Sequence, residues 1–525
     1  MSYRSPYPDV DIPNVPLQEF LFERAERFAD KPALIDGPTD RAITYGQLVA
    51  AVRRTAAGLA ARGFRKGDVL AIYSPNLPEY AVAFLGAATA GGVNTTVNPL
   101  YTASELHRQL VDSKATFLVT IPQFVDRARE AADGTSVREI FVFGEAEGAT
   151  PFSTLAAATG DPPAVQIDPR EDLVALPYSS GTTGMPKGVM LTHHNLVSNL
   201  CQTHSVEQLQ DTEVLIGILP FYHIYGMVVI MSGALRAGAT TVTMPRFDLE
   251  QFLELLQKHG VTMAYLVPPI VLALAKHPLV DDYDISTLTD ILSGAAPLPT
   301  PVAEACVERH GVLLRQGYGL TETSPVTHAN GRDREVKLDS VGVALPNTEY
   351  RIVDIGTGAD VDTGELGEVW IRGPQVMKGY LNNPDATRDM VDGDGWLHSG
   401  DIGRADEDGY LYVVDRVKEL IKYKGLQVAP AELEAVIQAH PAVADVAVIP
   451  VPDLEAGEIP KAFVVRKPGA SLTAEEVMIH VADRVAPHKK VRQVEFIDAI
   501  PKVPSGKILR RELRDRERAA REASA

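Results

Sequence analysis

The stretch YSSGTTGMPKG, residues 178–188, combines small hydroxyl side chains and glycines with one lysine. Glycine lets the backbone approach an anion closely, hydroxyl groups donate hydrogen bonds, and lysine supplies a positive charge. Because the stretch directly follows the apolar run 173–176, which is typical of a buried strand, we expect a loop that cradles phosphate groups. A Ser/Gly surface turn is the alternative interpretation, but such a turn needs no lysine.

The sequence matches neither of two other nucleotide-binding patterns. Pro186 precedes Lys187 at a position where the Walker A motif has glycine, so a P-loop kinase or GTPase is disfavoured. Glu322 stands where a dinucleotide pattern begun by Gly317 and Gly319 needs its third glycine. A Rossmann dinucleotide site is therefore disfavoured as well.

Length, composition and charge indicate a large folded protein. A chain of 525 residues exceeds what one hydrophobic core usually organises, and 45% hydrophobic with 23% charged residues is close to the globular average. A formal net charge of −19 at pH 7 would repel nucleic acid, although a local basic pocket for one phosphate stays open. We expect small-molecule partners and no nucleic acid.

The cysteines and the apolar segments predict a cytoplasmic protein without membrane association. We expect a monomer or a homodimer. Cys201 and Cys306 lie far apart, which fits neither a disulfide framework nor a metal site. We read no secretory or lipidation signal in the chain. The segment 214–235 is uncharged and long enough to span a bilayer, but Pro220 and His223 in its middle favour a buried strand, a loop and a buried helix.

The first third of the chain, which must position the loop, alternates between helix-like and strand-like patterns. Such alternation predicts a parallel sheet covered by helices. The predicted elements are a helix over 48–59, a strand over 69–73, a helix over 104–112 and a strand over 117–120.

Beyond about residue 400 the pattern changes to a compact α+β unit. We therefore predict an α/β fold with a large N-terminal domain of several subdomains, residues 1–415, and a small mobile C-terminal domain, residues 416–525. A short hinge is expected over 415–418. The predicted C-terminal elements are a helix over 430–439, strands over 443–451 and 462–465, a helix over 473–485, a strand over 494–497 and a solvated helix over 510–521.

Further motifs follow the loop in an order that resembles the adenylate-forming enzymes, which include acyl-CoA synthetases, luciferases and amino-acid adenylation domains. They are QGYGLTE (316–322), GWLHSGD (395–401), VDRVKELIKYKG (414–425) and PSGKILRR (504–511). The stretches LPFYHIYG, SGAAPL and KGYLNNPDAT are most similar to the 4-coumarate–CoA ligase branch. The resemblance covers essentially the whole chain and implies ATP, Mg²⁺ and CoA as cofactors.

The implied chemistry has two half-reactions. A carboxylate attacks the α-phosphate of MgATP and releases pyrophosphate, and the thiol of CoA then attacks the acyl-adenylate. In this scheme Lys507 stabilises the charge that develops during transfer at phosphorus. Glu322 ligates Mg²⁺, Thr321 hydrogen-bonds the α-phosphate, and His223 orders the carboxylate and gates the acid pocket.

The resemblance also implies a nucleotide site and a moving domain. The loop would hold the β and γ phosphates, Tyr318 would stack on adenine, and Asp401 with Arg416 would bind ribose. Rotation about Lys418 would bring Lys424 and Gly425 to the pantetheine channel, while Arg246 would contact a CoA phosphate. The implied nucleotide residues are Ser179, Ser180, Gly181, Thr182, Thr183, Lys187, Gln316, Gly317, Tyr318, Asp401, Arg416, Lys418, Lys422 and Gln427.

The acid is expected to lack an α-ammonium group. Amino-acid adenylation domains carry an Asp soon after the aromatic position of FYHIYGM, and this chain has none there. Leu292 stands where plant members of the branch commonly carry Lys, which would weaken recognition of a 4-hydroxyl and favour cinnamate or an aliphatic acid. The implied acid-binding residues are Tyr225, Gly294, Ala295, Gly319, Pro325 and Val326, with Gly317 beside them.

The sequence thus predicts an AMP-forming acid–thiol ligase that acts on 4-coumarate or cinnamate. A medium-chain fatty acyl-CoA ligase is the nearest alternative, and luciferase-like monooxygenation is a more distant one. The third alternative is a catalytically silent protein that only binds an adenylate. This alternative is disfavoured because the chain has Lys507, Glu322 and Lys187 together.

Overall fold

The computed structural model describes residues 2–179, 186–423, 426–453, 456–485, 487–502, 506 and 508–522, with the backbone alone at 418, 422, 426 and 427. Its helices alternate with the strands of several sheets. They are Leu17–Phe22, Tyr45–Ala61, Pro78–Thr89, Ala103–Ser113, Val125–Ala132, Ser153–Ala156, His193–Glu207, Gly233–Ala237, Leu249–His259, Pro268–Lys276, Thr300–His310, Pro384–Met390, Pro430–Gln438, Ala474–Ala482 and Arg510–Glu522.

Sheet A forms from the strand and helix alternation of the first third. Its predicted helices and strands are confirmed with small shifts at their ends. Helix Tyr45–Ala61 begins with a capping box, in which the Thr44 hydroxyl accepts from the Gln47 amide and the Gln47 side chain accepts from the Thr44 amide. In spatial order the strands are Tyr178–Ser179, Lys187–Thr192, Leu173–Ala175, Val93–Val97, Val69–Tyr73, Ala115–Thr120, Glu139–Val142 and Thr150–Pro151, and Gly379–Tyr380 pairs with Lys187–Thr192.

Sheet A is parallel over the strands of the first third of the chain, as predicted, but it is antiparallel at one edge. Strand Lys187–Thr192 runs antiparallel to Tyr178–Ser179 and to Leu173–Ala175. The connection between Ser179 and Lys187 is too short for the crossover that parallel neighbours require, so the chain must turn back as a hairpin.

Sheet B is parallel in its centre and lies beside sheet A. Consecutive strands of this region are joined by helices such as Leu249–His259 and Thr300–His310, which returns each strand to the same direction. In spatial order the strands are Val343–Ala344, Val326–Ala329, Leu313–Gly319, Asp290–Ser293, Met263–Leu266, Val214–Gly217, Thr240–Thr243, Pro32–Asp36 and Ala42–Thr44.

The uncharged segment 214–235 lies inside this part of the fold. It forms strand Val214–Gly217, a loop, π-helix Tyr225–Ser232 and helix Gly233–Ala237, which confirms the predicted order of strand, loop and helix. Within the ranges that the structure describes, no helix combines the length and apolar character needed to cross a membrane.

Sheet C completes the larger part of the chain, and sheet D belongs to the C-terminal unit. Sheet C contains, in order, Ser2–Arg4, Glu349–Val353, Gly367–Arg372, Leu397–Ala405 and Leu411–Arg416. Sheet D contains Leu426–Val428, Ile421–Tyr423, Gly457–Arg466 and Val443–Asp453, with Gln493–Phe496 beside Gly457–Arg466. Each predicted C-terminal helix and strand has a counterpart here.

The last helix, Arg510–Glu522, is not fully solvated as predicted. Leu513 is 2% exposed, and the Glu517 carboxylate pairs with the Lys461 ammonium of sheet D. One face of the helix therefore packs on sheet D. The many arginines of this segment made the inward-facing Leu513 difficult to recognise from the sequence pattern.

Candidate active site

A cavity of about 1310 Å³ lies at the carboxyl ends of the parallel strands of sheet B. Ligands of open α/β sheets bind at this edge, where the loops that follow the strands converge. The lining residues that come directly after successive strands are Ile218, Val267, Gly294 and Leu320.

Many residues predicted for the nucleotide and the acid line this single cavity. The predicted nucleotide and metal residues that line it are Ser179, Lys187, Gly317, Tyr318, Thr321, Glu322 and Arg416. The predicted acid residues that line it are His223, Tyr225, Gly294, Ala295, Gly319, Pro325 and Val326. Arg246, predicted to contact CoA, also lines it.

Gln316 does not line the cavity, contrary to its predicted role in nucleotide binding. Several other predicted residues lie outside the part of the chain that the structure describes. The buried Gln316 amide accepts from the Leu298 backbone at 3.2 Å and donates to the Leu338 carbonyl at 2.6 Å, so this side chain is committed to the protein interior. The structure does not describe Ser180, Gly181, Thr182, Thr183, Lys424, Gly425 and Lys507, nor the side chains of Lys418, Lys422 and Gln427.

The base of the glycine-rich loop is described on both sides. Tyr178 pairs with Gly188, and Ser179 pairs with Lys187. Ser179 and Lys187 therefore lie next to each other at the base of the loop. The Tyr178 hydroxyl donates to the Asp112 carboxylate at 2.6 Å and thereby anchors the hairpin to the neighbouring helix.

Asp401 is not itself among the residues that line the cavity, but it contacts two that are, Tyr318 and Arg416. Its carboxylate accepts from the Tyr318 hydroxyl at 2.6 Å and pairs with the Arg416 guanidinium at 3.0 Å. Burial, together with the Asp401 charge, raises the pKa of Tyr318 well above its ordinary value, and Asp401 raises the pKa of Arg416. Tyr318 is thus held as a neutral phenol and Arg416 as a cation, both at fixed positions on the wall.

Glu322 lies on a second polar side, next to Lys187. Its carboxylate accepts from the Tyr380 hydroxyl at 2.8 Å, and the Lys187 ammonium lies 5.0 Å from the centroid of the same Tyr380 ring. Burial and the Glu322 charge raise the pKa of Tyr380, so this phenol remains a donor that orients the carboxylate. The arrangement presents a fixed anion and a fixed cation to the same space.

Tyr225 forms the wall of the proposed acid pocket at the start of the π-helix. Its hydroxyl donates to the Leu292 carbonyl at 3.1 Å, and its backbone amide donates to Nδ1 of His223 at 3.3 Å. A Cβ on Gly294 would approach the Tyr225 ring to 3.1 Å, and one on Gly319 would come within 2.0 Å of the Pro325 carbonyl. Both positions are therefore too crowded for a side chain: one at Gly294 would press on the Tyr225 ring, and one at Gly319 would clash with the backbone.

The turn before Lys507 lies against the cavity rim. A Cβ on Gly506 would come within 2.9 Å of the Pro269 ring, and both Pro269 and Leu509 line the cavity. Gly506 has a φ of +82°, which favours glycine at this position. The described residues on either side of Lys507 thus lie next to the larger domain.

Sequence reasoning missed several side chains around the cavity. Tyr380 lies in the motif KGYLNNPDAT, which could have drawn attention to it, but its pairing with the Lys187 strand is a long-range contact. Glu207 and Tyr265 also line the cavity, and no local pattern marks either residue.

Comparison with known proteins extends these observations. The family model described as AMP-binding enzyme matches residues 21–381, and that of the AMP-binding enzyme C-terminal domain matches residues 432–507. The chain is 46% identical to 4-coumarate–CoA ligase 5 of Oryza sativa subsp. japonica, covering 98% of this chain and 96% of the relative. It is 44% identical to 4-coumarate–CoA ligase 1 of Petroselinum crispum, with the same coverage.

Solved structures of similar proteins share the whole fold. ATP-bound MatB from Rhodopseudomonas palustris is 31% identical with a TM-score of 0.89, covering 96% of this chain and 99% of that one. The anthranilate CoA ligase AuaEII in complex with anthranoyl-AMP is 26% identical with a TM-score of 0.88, covering 96% and 98%. These matches confirm the predicted fold class, and the chain belongs to the AMP-binding, adenylate-forming enzyme family.

Proposed function

We propose that the protein ligates 4-coumarate or cinnamate to CoA. The ATP-dependent, AMP-forming ligation of a carboxylic acid to CoA is supported by the relatives that match nearly the whole chain, which are 4-coumarate–CoA ligases. The observation that carries the choice of acid is the continuity of one cavity, which runs from the Glu322 and Lys187 side to a pocket walled by the aromatic ring of Tyr225. A flat aromatic acid fits such a pocket.

The first half-reaction joins the acid to AMP. A carboxylate oxygen attacks the α-phosphorus while the bond to pyrophosphate breaks. In our proposal Lys187 and the loop beside it bind the leaving phosphates, Thr321 donates to the α-phosphate, and Lys507 neutralises charge on the transferring group. Asp401 and Arg416 would bind the ribose hydroxyls, and His223 would orient the carboxylate.

The donor set beside Lys187 fits Mg²⁺. Glu322 offers a hard carboxylate oxygen already oriented by Tyr380. In the described parts of the chain, no group of three or more His, Cys, Asp or Glu is placed to hold an ion, so ATP phosphate oxygens would provide further ligands. When bound, Mg²⁺ neutralises phosphate charge.

The second half-reaction transfers the acyl group to the CoA thiol and releases AMP. We propose that the C-terminal domain, residues 416–525, rotates about Lys418 between the two steps and that Lys424, Gly425 and Arg246 then contact CoA. The short 3₁₀ turn Val417–Glu419 between sheets C and D is the segment that would absorb the rotation.

Substitution of Lys418 by proline tests the rotation. Proline fixes φ and removes a backbone donor, so the hinge should move more slowly. We expect thioester formation from acyl-AMP to slow by roughly tenfold or more while adenylate formation changes by less than about threefold. Stopped-flow assays of each half-reaction measure the two rates, and unchanged rates in both would exclude Lys418 as the hinge.

A panel of acids tests the proposed substrate. Pyrophosphate release in the presence of CoA should show the highest kcat/KM with 4-coumarate or cinnamate, and lower values with benzoate and octanoate. The apolar Leu292 on the pocket floor is the feature that favours the alternative, a medium-chain fatty acyl-CoA ligase. Preference for octanoate over both cinnamates would support that alternative and contradict the proposal.

A further inference from the structure

Asp415 forms a hydrogen bond across the junction between the two domains. It lies in strand Leu411–Arg416 of sheet C, on the side of the larger domain, three positions before the proposed hinge at Lys418. Its carboxylate accepts from the backbone amide of Ala431 at 2.8 Å. Ala431 belongs to helix Pro430–Gln438 of the C-terminal domain. The two partners of this bond therefore lie on opposite sides of the hinge.

The bond from Asp415 satisfies a helix end that lacks a cap of its own. The first amides of a helix have no partners within it, and Ala429, which precedes helix Pro430–Gln438, makes no side-chain bond to them. A carboxylate at this end also interacts favourably with the helix dipole. Asp415 is 7% exposed, and its other oxygen accepts from the Arg416 amide at 2.7 Å, which fixes the carboxylate in place. Asp415 thus caps a helix of the other domain.

The capped helix also holds the segment that follows Lys507. Nη2 of Arg510 donates to both carboxylate oxygens of Glu434, at 2.7 Å each. The same carboxylate accepts from the Val448 amide at 2.7 Å, and Nε of Arg510 donates to the Val448 carbonyl at 3.2 Å. These bonds fix Arg510 between the helix and sheet D, three positions after Lys507.

Arg510 interacts with one carboxylate from each domain. Burial raises the pKa of Asp415 and of Glu434, and the positive charge of Arg510 opposes this shift at both residues. Leu420 packs on Ile402 of sheet C next to this junction, and both side chains are buried. Hydrogen bonds in such a shielded place are stronger than in water, so the loss of one is costly.

The described residues on either side of Lys507 are fixed within the C-terminal domain. The Leu509 amide donates to the Pro501 carbonyl at 2.8 Å, and Ile508 pairs with Lys502. The segment that carries Lys507 therefore moves together with its domain. Its position at the cavity rim depends on what holds that domain against the larger one.

We propose that Asp415 is a positioning residue, which holds the C-terminal domain, through the helix that it caps, in the orientation that delivers Lys507 for adenylate formation. Rotation about Lys418 would carry Ala431 away from Asp415. The bond between Asp415 and Ala431 is thus a latch, which favours the first half-reaction and must break before the second. This inference rests on the proposed function and deepens it by naming the contact that holds one of its two orientations.

The rates of the two half-reactions in Asp415→Ala test the latch in the full-length enzyme. Pyrophosphate exchange, measured with the acid that the unmodified enzyme uses best, should slow by about tenfold, because a buried hydrogen bond to a charged group is lost. Release of AMP from synthetic acyl-AMP with CoA should not slow. Asp415→Asn should keep pyrophosphate exchange within about threefold of the unmodified rate, since the amide oxygen can still accept from Ala431.

Thr473→Ala is the matched control. The Thr473 hydroxyl caps helix Ala474–Ala482 of the same domain and accepts from the Glu476 amide at 3.2 Å, within its own helix turn. This variant also loses a helix cap, and it should leave both half-reactions unchanged. If AMP release in Asp415→Ala slows as much as pyrophosphate exchange or more, or if neither rate changes, the latch is overturned while the proposed function stands. Failure of the unmodified protein to release pyrophosphate with any acid of the panel would instead overturn the proposed function, and the latch with it.

Discussion

Replacing Lys507 by alanine is expected to lower the rate of adenylate formation by roughly 10³-fold while thioester formation from pre-made acyl-AMP stays within about threefold. Transfer at phosphorus builds negative charge on the oxygens around the α-phosphorus. A single preorganised cation in a site shielded from water stabilises that charge far more than it stabilises the ground state. The attack of a thiol on acyl-AMP needs no such cation at the same place.

The structure supports delivery of Lys507 to the cavity through its neighbours. Gly506 lies against Pro269 on the rim, and Leu509 lines the cavity. Pyrophosphate exchange measures the first half-reaction, and release of AMP from synthetic acyl-AMP with CoA measures the second.

Lys502→Ala is the control for the Lys507 variant. Lys502 belongs to the same C-terminal segment, and its ammonium pairs with Asp445 at 2.7 Å within the C-terminal unit. The control should leave both half-reactions unchanged. Equal loss of both half-reactions in Lys507→Ala would show that this lysine is needed for folding or for general substrate binding, and its proposed role would be wrong.

Substitution of Glu322 by glutamine is expected to lower kcat/KM for MgATP by about 10²-fold and to raise the Mg²⁺ concentration needed for half-maximal rate. The amide keeps the shape of the side chain and can still accept from Tyr380, but it loses the negative charge that a hard divalent cation prefers. Tyr380→Phe should have a smaller effect of the same kind, because it removes only the bond that orients the carboxylate.

Magnesium titrations at saturating acid and CoA measure this effect. Glu308→Gln, the same change at an exposed position of helix Thr300–His310, is the control and should behave like the unmodified protein. An unchanged Mg²⁺ dependence in Glu322→Gln would exclude this carboxylate as a metal ligand, whatever happened to the overall rate.

Local patterns predicted much of the secondary structure, because apolar spacing depends on which face of an element is buried. Leu48, Val52, Ala56 and Leu59 recur at helical spacing, and all four are buried on one face of helix Tyr45–Ala61. The π-helical geometry of Tyr225–Ser232 has no such signal, since every residue of that segment is buried and the apolar pattern has no period.

Contacts between distant parts of the chain could not be predicted in the same way. The motif order indicated which residues belong to one site, but it gave no distances. Tyr380 reaches Glu322 only because its short strand pairs with Lys187–Thr192. Glu207 and Arg315 meet across 108 positions, and neither residue lies at a local sequence pattern that would announce a partner. Such pairs follow from the packing of helix His193–Glu207 on sheet B.

Isotope transfer from the acid to AMP tests the central claim most directly. A carboxylic acid labelled with ¹⁸O in both oxygens is incubated with the enzyme, ATP, Mg²⁺ and CoA, and the products are analysed by mass spectrometry. If an acyl-adenylate forms, AMP carries one ¹⁸O atom, the thioester carbonyl keeps the other, and pyrophosphate carries none. Appearance of the label in inorganic phosphate, with ADP in place of AMP, would contradict the account.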